Sequence, residues 1–309
     1  MRALLTGGSG FIGSDVSKML LSKGVEVVVY DNLSSGNYDN IRDMNLQFIK
    51  GDVLDKDAVI EACRGVDVVF HLAASVGRQR SIDYPQLDSE INLIGTINVL
   101  EGMRANGVKK IVYSSSAAIF GELQSPEIDE NHPQNADSPY GVSKLAAEKM
   151  ILSYADIYDM TAVCLRYFNI YGVNQRYDLY GNVIPIFAHR LFAGESLLIY
   201  GDGSQTRDFV NVYDVARANV MAGMEYPETN VFNLGSGASI TINRLAEMMQ
   251  EISGIENGIQ YLPERKADVK HCKANANKVA EKMQFKTVVP LEKGLEEYIQ
   301  WYKNNIVEK

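Results

Sequence analysis

The stretch Thr6-Gly-Gly-Ser-Gly-Phe-Ile-Gly13 constrains this chain more than any other, because its glycines stand between an apolar run, Ala3 to Thr6, and a helical pattern, Ile12 to Ser22. Gly7 permits a tight turn, Gly10 lets the backbone approach a pyrophosphate, and Gly13 allows a helix to pack closely on a strand. Phe11 and Ile12 open that helix, whose N-terminus offers partial positive charge to phosphates. A glycine pattern alone says little, but one placed between a strand and a helix predicts a dinucleotide site.

The rest of the first half repeats the alternation, with apolar β-branched runs at Val25 to Tyr30, Val66 to His71, Lys110 to Ser114 and Thr161 to Arg166 separated by helical patterns. Continuously apolar strands alternating with helices predict an α/β fold, a doubly wound (Rossmann) parallel sheet covered on both faces. Residues 1–168 are expected to form this domain and residues 169–309 mainly a smaller α/β region that carries substrate. Some later segments, Val231 to Leu234 among them, are expected to return to the first domain.

Asp31 ends the second strand, where a carboxylate accepts hydrogen bonds from the adenine-ribose hydroxyls and repels a 2′-phosphate, so NAD is favoured over NADP. Asn32 begins the turn beside it. Asp52, with Val53, follows the third strand and is placed to meet the adenine edge. Leu72, Ala73 and Ala74 put small side chains at a strand end where a cofactor must lie close.

Tyr140 and Lys144 stand four apart at the start of a helix opened by Pro139 and so share one face. An ammonium beside a phenol is expected to stabilise the phenolate and lower its pKa from about 10 toward neutrality. Such a base takes a proton from an alcohol while hydride leaves the same carbon. Ser116, last of the three serines ending the preceding strand, can share the substrate hydroxyl.

Lys and Arg number 30 against 39 Asp and Glu, a net charge of −9 with no basic run. That argues against nucleic acid or an anionic membrane as partner. No apolar stretch approaches the roughly 20 residues needed to span a bilayer, and the expected location is the cytoplasm. Cys63, Cys164 and Cys272 are far apart and the 4 histidines are scattered, so neither a disulfide framework nor a metal site is expected.

Taken together, these motifs resemble those of the extended short-chain dehydrogenase/reductases, and most closely the UDP-hexose 4-epimerases. The matching pieces are the fingerprint, Asp31-Asn32, Gly51-Asp52-Val53, Ser114 to Gly121, Tyr140-Gly-Val-Ser-Lys144, Arg166-Tyr-Phe-Asn169, Gly201 to Phe209, Asn233-Leu-Gly, and Arg265 with Asp268. The resemblance implies NAD as cofactor, a UDP-sugar as substrate, and Ser116, Tyr140 and Lys144 as catalytic group. It also implies that Asn169 and Arg207 contact the diphosphate, and that Arg265 and Asp268 hold a phosphate and the uridine ribose. Cys272 stands where some members have tyrosine, and a smaller side chain there leaves room beside the sugar's C2 substituent.

A homodimer built as a four-helix bundle is implied as well. The Tyr140 helix and the apolar face around Ile91, Ile94 and Leu100 would suit it, though packing within the monomer explains the same stripe nearly as well. Sister 4,6-dehydratases carry an Asp-Glu pair where this chain has Ala117 and Ala118, so elimination lacks its acid and base. A UDP-uronate 4-epimerase or decarboxylase, with Arg176 gripping the carboxylate, is the alternative. A non-catalytic NAD-binding regulator would bind cofactor without turning over sugar, and a net dehydrogenase would release NADH.

Overall fold

Neighbouring residues along a strand point to opposite faces, so a run such as Leu4-Leu5 or Val28-Val29 can be apolar throughout only if both faces of the sheet are buried. The computed structural model, which describes residues 1–178, 181–264 and 270–308, shows that arrangement. Leu5, Val29, Phe70 and Val112 pack on one face beneath the helices Phe11–Ser22 and Val212–Met224. Leu4, Val28, Val69 and Ile111 pack on the other beneath Lys56–Ala62, Gly95–Asn106 and Pro139–Ile157.

The 7-stranded sheet is parallel throughout, in the order Asn230–Leu234, Thr161–Tyr167, Lys110–Ser116, Val68–His71, Arg2–Thr6, Glu26–Asp31, Gln47–Lys50. The chain winds outward from Arg2–Thr6 in one direction, then resumes on the other side at Val68–His71. This reversal opens a crevice at the carboxyl ends of those two strands. The late strand Asn230–Leu234 does return to the sheet, as an edge beside Thr161–Tyr167.

Local signals place the helix that carries Tyr140 and Lys144. Ser138 accepts the Gly141 N–H at 3.2 Å as its cap and Pro139 fills the first turn, where its missing N–H costs nothing. The helix before it is built in pieces, Pro85–Ser89, a π-type turn Glu90–Ile94, then Gly95–Asn106, ending at Gly107 with φ 71°. The later region has its own core, with Tyr171, Phe187, Leu245, Tyr298 and Tyr302 gathered between the helices Val183–Phe192, Ile242–Ser253 and Leu291–Tyr302.

One expectation about the surface is corrected. Leu100 is fully buried in the monomer's core, because it lies on the inward stripe of its helix, whereas Ile94 is 47% exposed. Among the described residues no helix is long and apolar enough to cross a membrane.

A buried ion pair ties the Pro139–Ile157 helix to the sheet. Arg166 Nη2 meets Glu148 Oε1 at 2.6 Å and Nε meets Oε2 at 3.1 Å, while the Ser115 hydroxyl donates to Oε2 at 2.6 Å. Removing one partner strands a charge in the interior. Glu148→Ala should therefore destabilise the protein by about 3–5 kcal/mol, read as a fall in the urea midpoint. The pair Glu148→Leu with Arg166→Met should recover most of the loss, and a single variant costing nothing would show that the pair carries no weight.

Candidate active site

At the crevice two strand ends approach so closely that side chains are excluded. A Cβ on Gly7, which has φ +72°, would lie 2.7 Å from the Ala73 nitrogen, and one on Gly13 would lie 2.2 Å from the Gly7 carbonyl oxygen. Gly10 caps the Phe11–Ser22 helix without a side-chain hydrogen bond, so its first amides stay available to a ligand. The result is a cradle of main-chain N–H groups at a helix N-terminus, suited to a pyrophosphate.

Asp31 lies beside this cradle. Its Oδ2 accepts the Ser9 N–H at 3.0 Å and its Oδ1 the Leu33 N–H at 2.8 Å, which fixes the carboxylate at the end of its strand. Asn32 donates to Asp52 Oδ2 at 2.8 Å, and Asp52 also accepts the Leu54 N–H at 2.9 Å. Val53 is buried, and its carbonyl takes the Asn98 side chain at 2.9 Å. On the facing side Leu72 donates to the Thr6 carbonyl at 3.0 Å and Ala73 to the Thr6 hydroxyl at 3.3 Å, with Ala74 next in line.

The strand end at Ser116 and the helix start at Tyr140 come together because Gly141 packs against the carbonyl of Ala118, where a Cβ would stand 2.4 Å away. This brings the Ser116 hydroxyl beside the Tyr140 phenol. Burial pushes the Tyr140 phenol up to about 12, the nearby Ser116 hydroxyl pulling against it and the Asp88 charge adding to it. Lys144 donates instead to the Ser114 carbonyl at 2.9 Å and sits 4.9 Å from the Tyr113 ring centre. Its own pKa is drawn down to about 8 by burial, against which Asp88 pulls it up. The expected lowering of the phenol by Lys144 is thus not made within the protein alone, since the ammonium is turned down onto the strand.

Several buried polar groups at this place have no mark in the sequence pattern. His71 Nδ1 lies 2.7 Å from the Thr6 hydroxyl and Nε2 lies 2.9 Å from that of Thr96, which itself donates to the Asn92 carbonyl at 2.6 Å. Since Thr96 gives its one proton to that carbonyl, Nε2 is the ring donor and Nδ1 accepts from Thr6. Burial, then Lys144, holds His71 neutral with a pKa near 3.

The residues expected on the substrate side form a second group. Strand pairing sets Phe209 opposite Asn169, and both the Asn169 N–H and its side-chain amide donate to the Asp208 carbonyl, at 3.2 and 3.1 Å. Arg207 immediately precedes. Cys272 is half-buried beside Arg207 and Asp208 and packs on the cluster of Ile119, Phe120 and Phe168 together with Ala117. Burial pushes its thiol up to about 11, so it is an inert wall rather than a nucleophile. The Asp208 carboxylate, which the sequence did not single out, accepts from Ser236, Gly237 and Ala274 main-chain N–H groups at 2.7, 3.1 and 3.0 Å. Arg265 and Asp268 lie outside the described residues. Among the described residues no cluster of side chains could hold a metal ion.

A doubly wound sheet with this cradle and a Ser-Tyr-Lys group defines a nicotinamide-dependent enzyme of the short-chain type. The model of the NAD dependent epimerase/dehydratase family matches residues 3–235. The chain belongs to that family, and NAD is its cofactor. The UDP-glucose 4-epimerase of Mycolicibacterium smegmatis is 33% identical over 310 residues, covering 98% of this chain and 99% of that protein. The crystal structure of the UDP-glucose 4-epimerase of Thermotoga maritima with UDP-glucose is similar at a TM-score of 0.95 and 36% identity, covering 99% of this chain and 100% of that one. The UDP-N-acetylglucosamine 4-epimerase of Methanobrevibacter ruminantium, in complex with UDP-N-acetylmuramic acid, reaches a TM-score of 0.94 at 34% identity, covering 99% of each chain.

The close approach at Gly7 and Gly13 suits a pyrophosphate, and a carboxylate at Asp31 would oppose a 2′-phosphate. Calorimetry on cofactor-free protein should find NAD binding at least about tenfold tighter than NADP, with Asp31→Ser narrowing the gap. Equal affinities in the unaltered protein would contradict the role of Asp31.

Proposed function

We propose that this protein is an NAD-dependent UDP-sugar 4-epimerase that interconverts UDP-glucose with UDP-galactose, and the N-acetylated pair as well, through a transient 4-keto sugar. The observation that carries the reading is the placing of Ser116, at the end of its strand, beside Tyr140, at the start of its helix, with the turn Ala117–Ile119 following Ser116 at once. A proton-transfer group is present, and the next positions hold methyl groups rather than the acid and base that elimination would require.

Bound NAD supplies the hydride acceptor and donor and a positive charge beside the phenol. The protein's own residues do the rest. Tyr140 Oη takes the proton of the sugar's 4-hydroxyl, and Ser116 Oγ shares that hydroxyl and steadies the phenolate. The Lys144 ammonium, resting on the Ser114 carbonyl, holds the cofactor's ribose side. Asn169 and Arg207, with Arg265 and Asp268, grip the nucleotide diphosphate and ribose, since a guanidinium fork matches phosphate oxygens. The keto sugar must turn its other face before hydride returns, so it is held by few specific contacts.

In this reading residues 1–168 bind NAD and residues 169–309 mainly bind the nucleotide sugar. The working unit is a homodimer, for which the exposed side chains of Leu87, Ile94 and Val142 on neighbouring helices provide apolar surface. The location is cytoplasmic.

Tyr140→Phe should keep NAD and UDP-sugar binding while turnover falls by about 10²–10⁴-fold. The assay is incubation with UDP-glucose, UDP-galactose, their N-acetyl forms and UDP-glucuronate, with products resolved by NMR. Full activity in the variant would remove Tyr140 as the base, and turnover of UDP-glucuronate alone would move the substrate to the uronates.

Cys272 sets the second prediction, because it packs on the same small cluster as Ala117, the residue after Ser116. Cys272→Tyr should lose the N-acetylated pair selectively. Equal loss of both pairs would mean general damage, and unchanged N-acetyl turnover would show that Cys272 does not line the sugar space.

A further inference from the structure

Behind the Tyr140–Lys144 turn lies a carboxylate that the mechanism above leaves without a role. Asp88, on the short helix Pro85–Ser89, is 1% exposed. Its Oδ2 accepts the Ser143 hydroxyl at 2.6 Å and its Oδ1 the Asn92 side-chain amide at 3.1 Å. Asn92 in turn clamps the main chain of Ser75, accepting its N–H at 2.9 Å and donating to its carbonyl at 3.0 Å. One buried network therefore joins the helix turn between Tyr140 and Lys144 to the segment leaving the strand end at Leu72. Asn92 sits in the π-type turn Glu90–Ile94 of the helix that carries it.

Burying an anion is costly unless hydrogen bonds and an opposite charge compensate it. Two neutral donors answer the first need here. Lys144, the residue after Ser143, is the cation whose pKa the Asp88 charge raises against burial.

We propose that Asp88 is a positioning residue: through Ser143 it fixes the turn that presents Tyr140 and Lys144, and it is the counter-charge that keeps Lys144 protonated in a dry site. The proposal deepens the epimerase reading and rests on it for its catalytic part. The other groups facing Lys144 cannot take that place. His71, from the strand Val68–His71, is neutral, and Tyr113, from the strand Lys110–Ser116, is held well above its usual value by burial and is neutral too. Tyr140, on the same helix, is protonated in the resting protein. Glu148, one turn further on, is paired with Arg166. Asp88 is also the group that opposes the burial-driven fall of the Lys144 pKa.

Asp88→Asn keeps the shape and removes the charge. In protein labelled with ¹³C at lysine, the Lys144 resonance, identified by its loss in Lys144→Met, should titrate at least about one unit lower in Asp88→Asn than in the unaltered protein. Above both midpoints each unit means tenfold less ammonium, so turnover at pH 9 should fall about tenfold while remaining near normal at pH 6. NAD content should not change. An unmoved titration, or an equal loss at both pH values, overturns the counter-charge role. Ser143→Ala keeps the carboxylate and removes the tether, and should lower turnover at every pH while leaving the Lys144 titration in place. Unchanged turnover in Ser143→Ala overturns the positioning role even if Asp88→Asn fails to fold. The titration needs no turnover, so an unaltered protein inactive on every UDP-sugar would end the epimerase reading without touching the charge pairing.

Discussion

Where Gly7 passes Ala73, two main chains meet with no space for even a methyl group between them. That approach sets where the first strand must end and how near the Phe11–Ser22 helix lies to it. It also fixes where the Val68–His71 strand delivers its own end. Because the chain reverses its winding direction between these two strands, the same place becomes the crevice into which helix N-terminus, Asp31 and the Leu72–Ala74 segment all face. A substitution at Gly7 would separate elements that the site needs in contact.

Close behind the crevice the interior is polar, which ordinarily destabilises a core. Here most groups have a partner, the buried hydroxyls of Ser9 and Tyr113 being exceptions. Ala73, Thr6, His71, Thr96 and Asn92 form one chain of donors and acceptors, and Asn92, Asp88 and Ser143 continue it to the helix that carries Tyr140 and Lys144. The connected chain of bonds gives the reacting side chains a rigid footing, the condition under which small displacements at a site are avoided. Glu148 and Arg166 do the same one turn further along.

The outlines of this arrangement were legible in the chain. Strands buried on both faces leave continuous apolar runs, a cofactor turn requires glycines at fixed offsets, and Pro139 marks a helix start. The direction in which a side chain turns is another matter. Tyr140 and Lys144 share a helix face by spacing, yet the ammonium bonds the Ser114 carbonyl, a partner 30 residues away that no local pattern reveals. Asp88, Asn92 and Ser143 read as the polar side of helices, and only packing between helices buries them. Leu100 belongs to a stripe equally suited to a dimer face or to the monomer core, and the fold uses it for the core. Asp208 hides next to Arg207, where the arginine draws attention by its charge while the aspartate holds the surrounding main chain together.

Central to the account is that a sugar hydride leaves C4, is held within one active site, and returns to C4 on the opposite face. UDP-glucose carrying deuterium at C4, turned over to equilibrium in ordinary water, tests this directly by NMR of the product. The account predicts UDP-galactose with deuterium retained at C4 and no NADH released. Loss of deuterium to solvent, or stoichiometric NADH in place of the epimer, would contradict it.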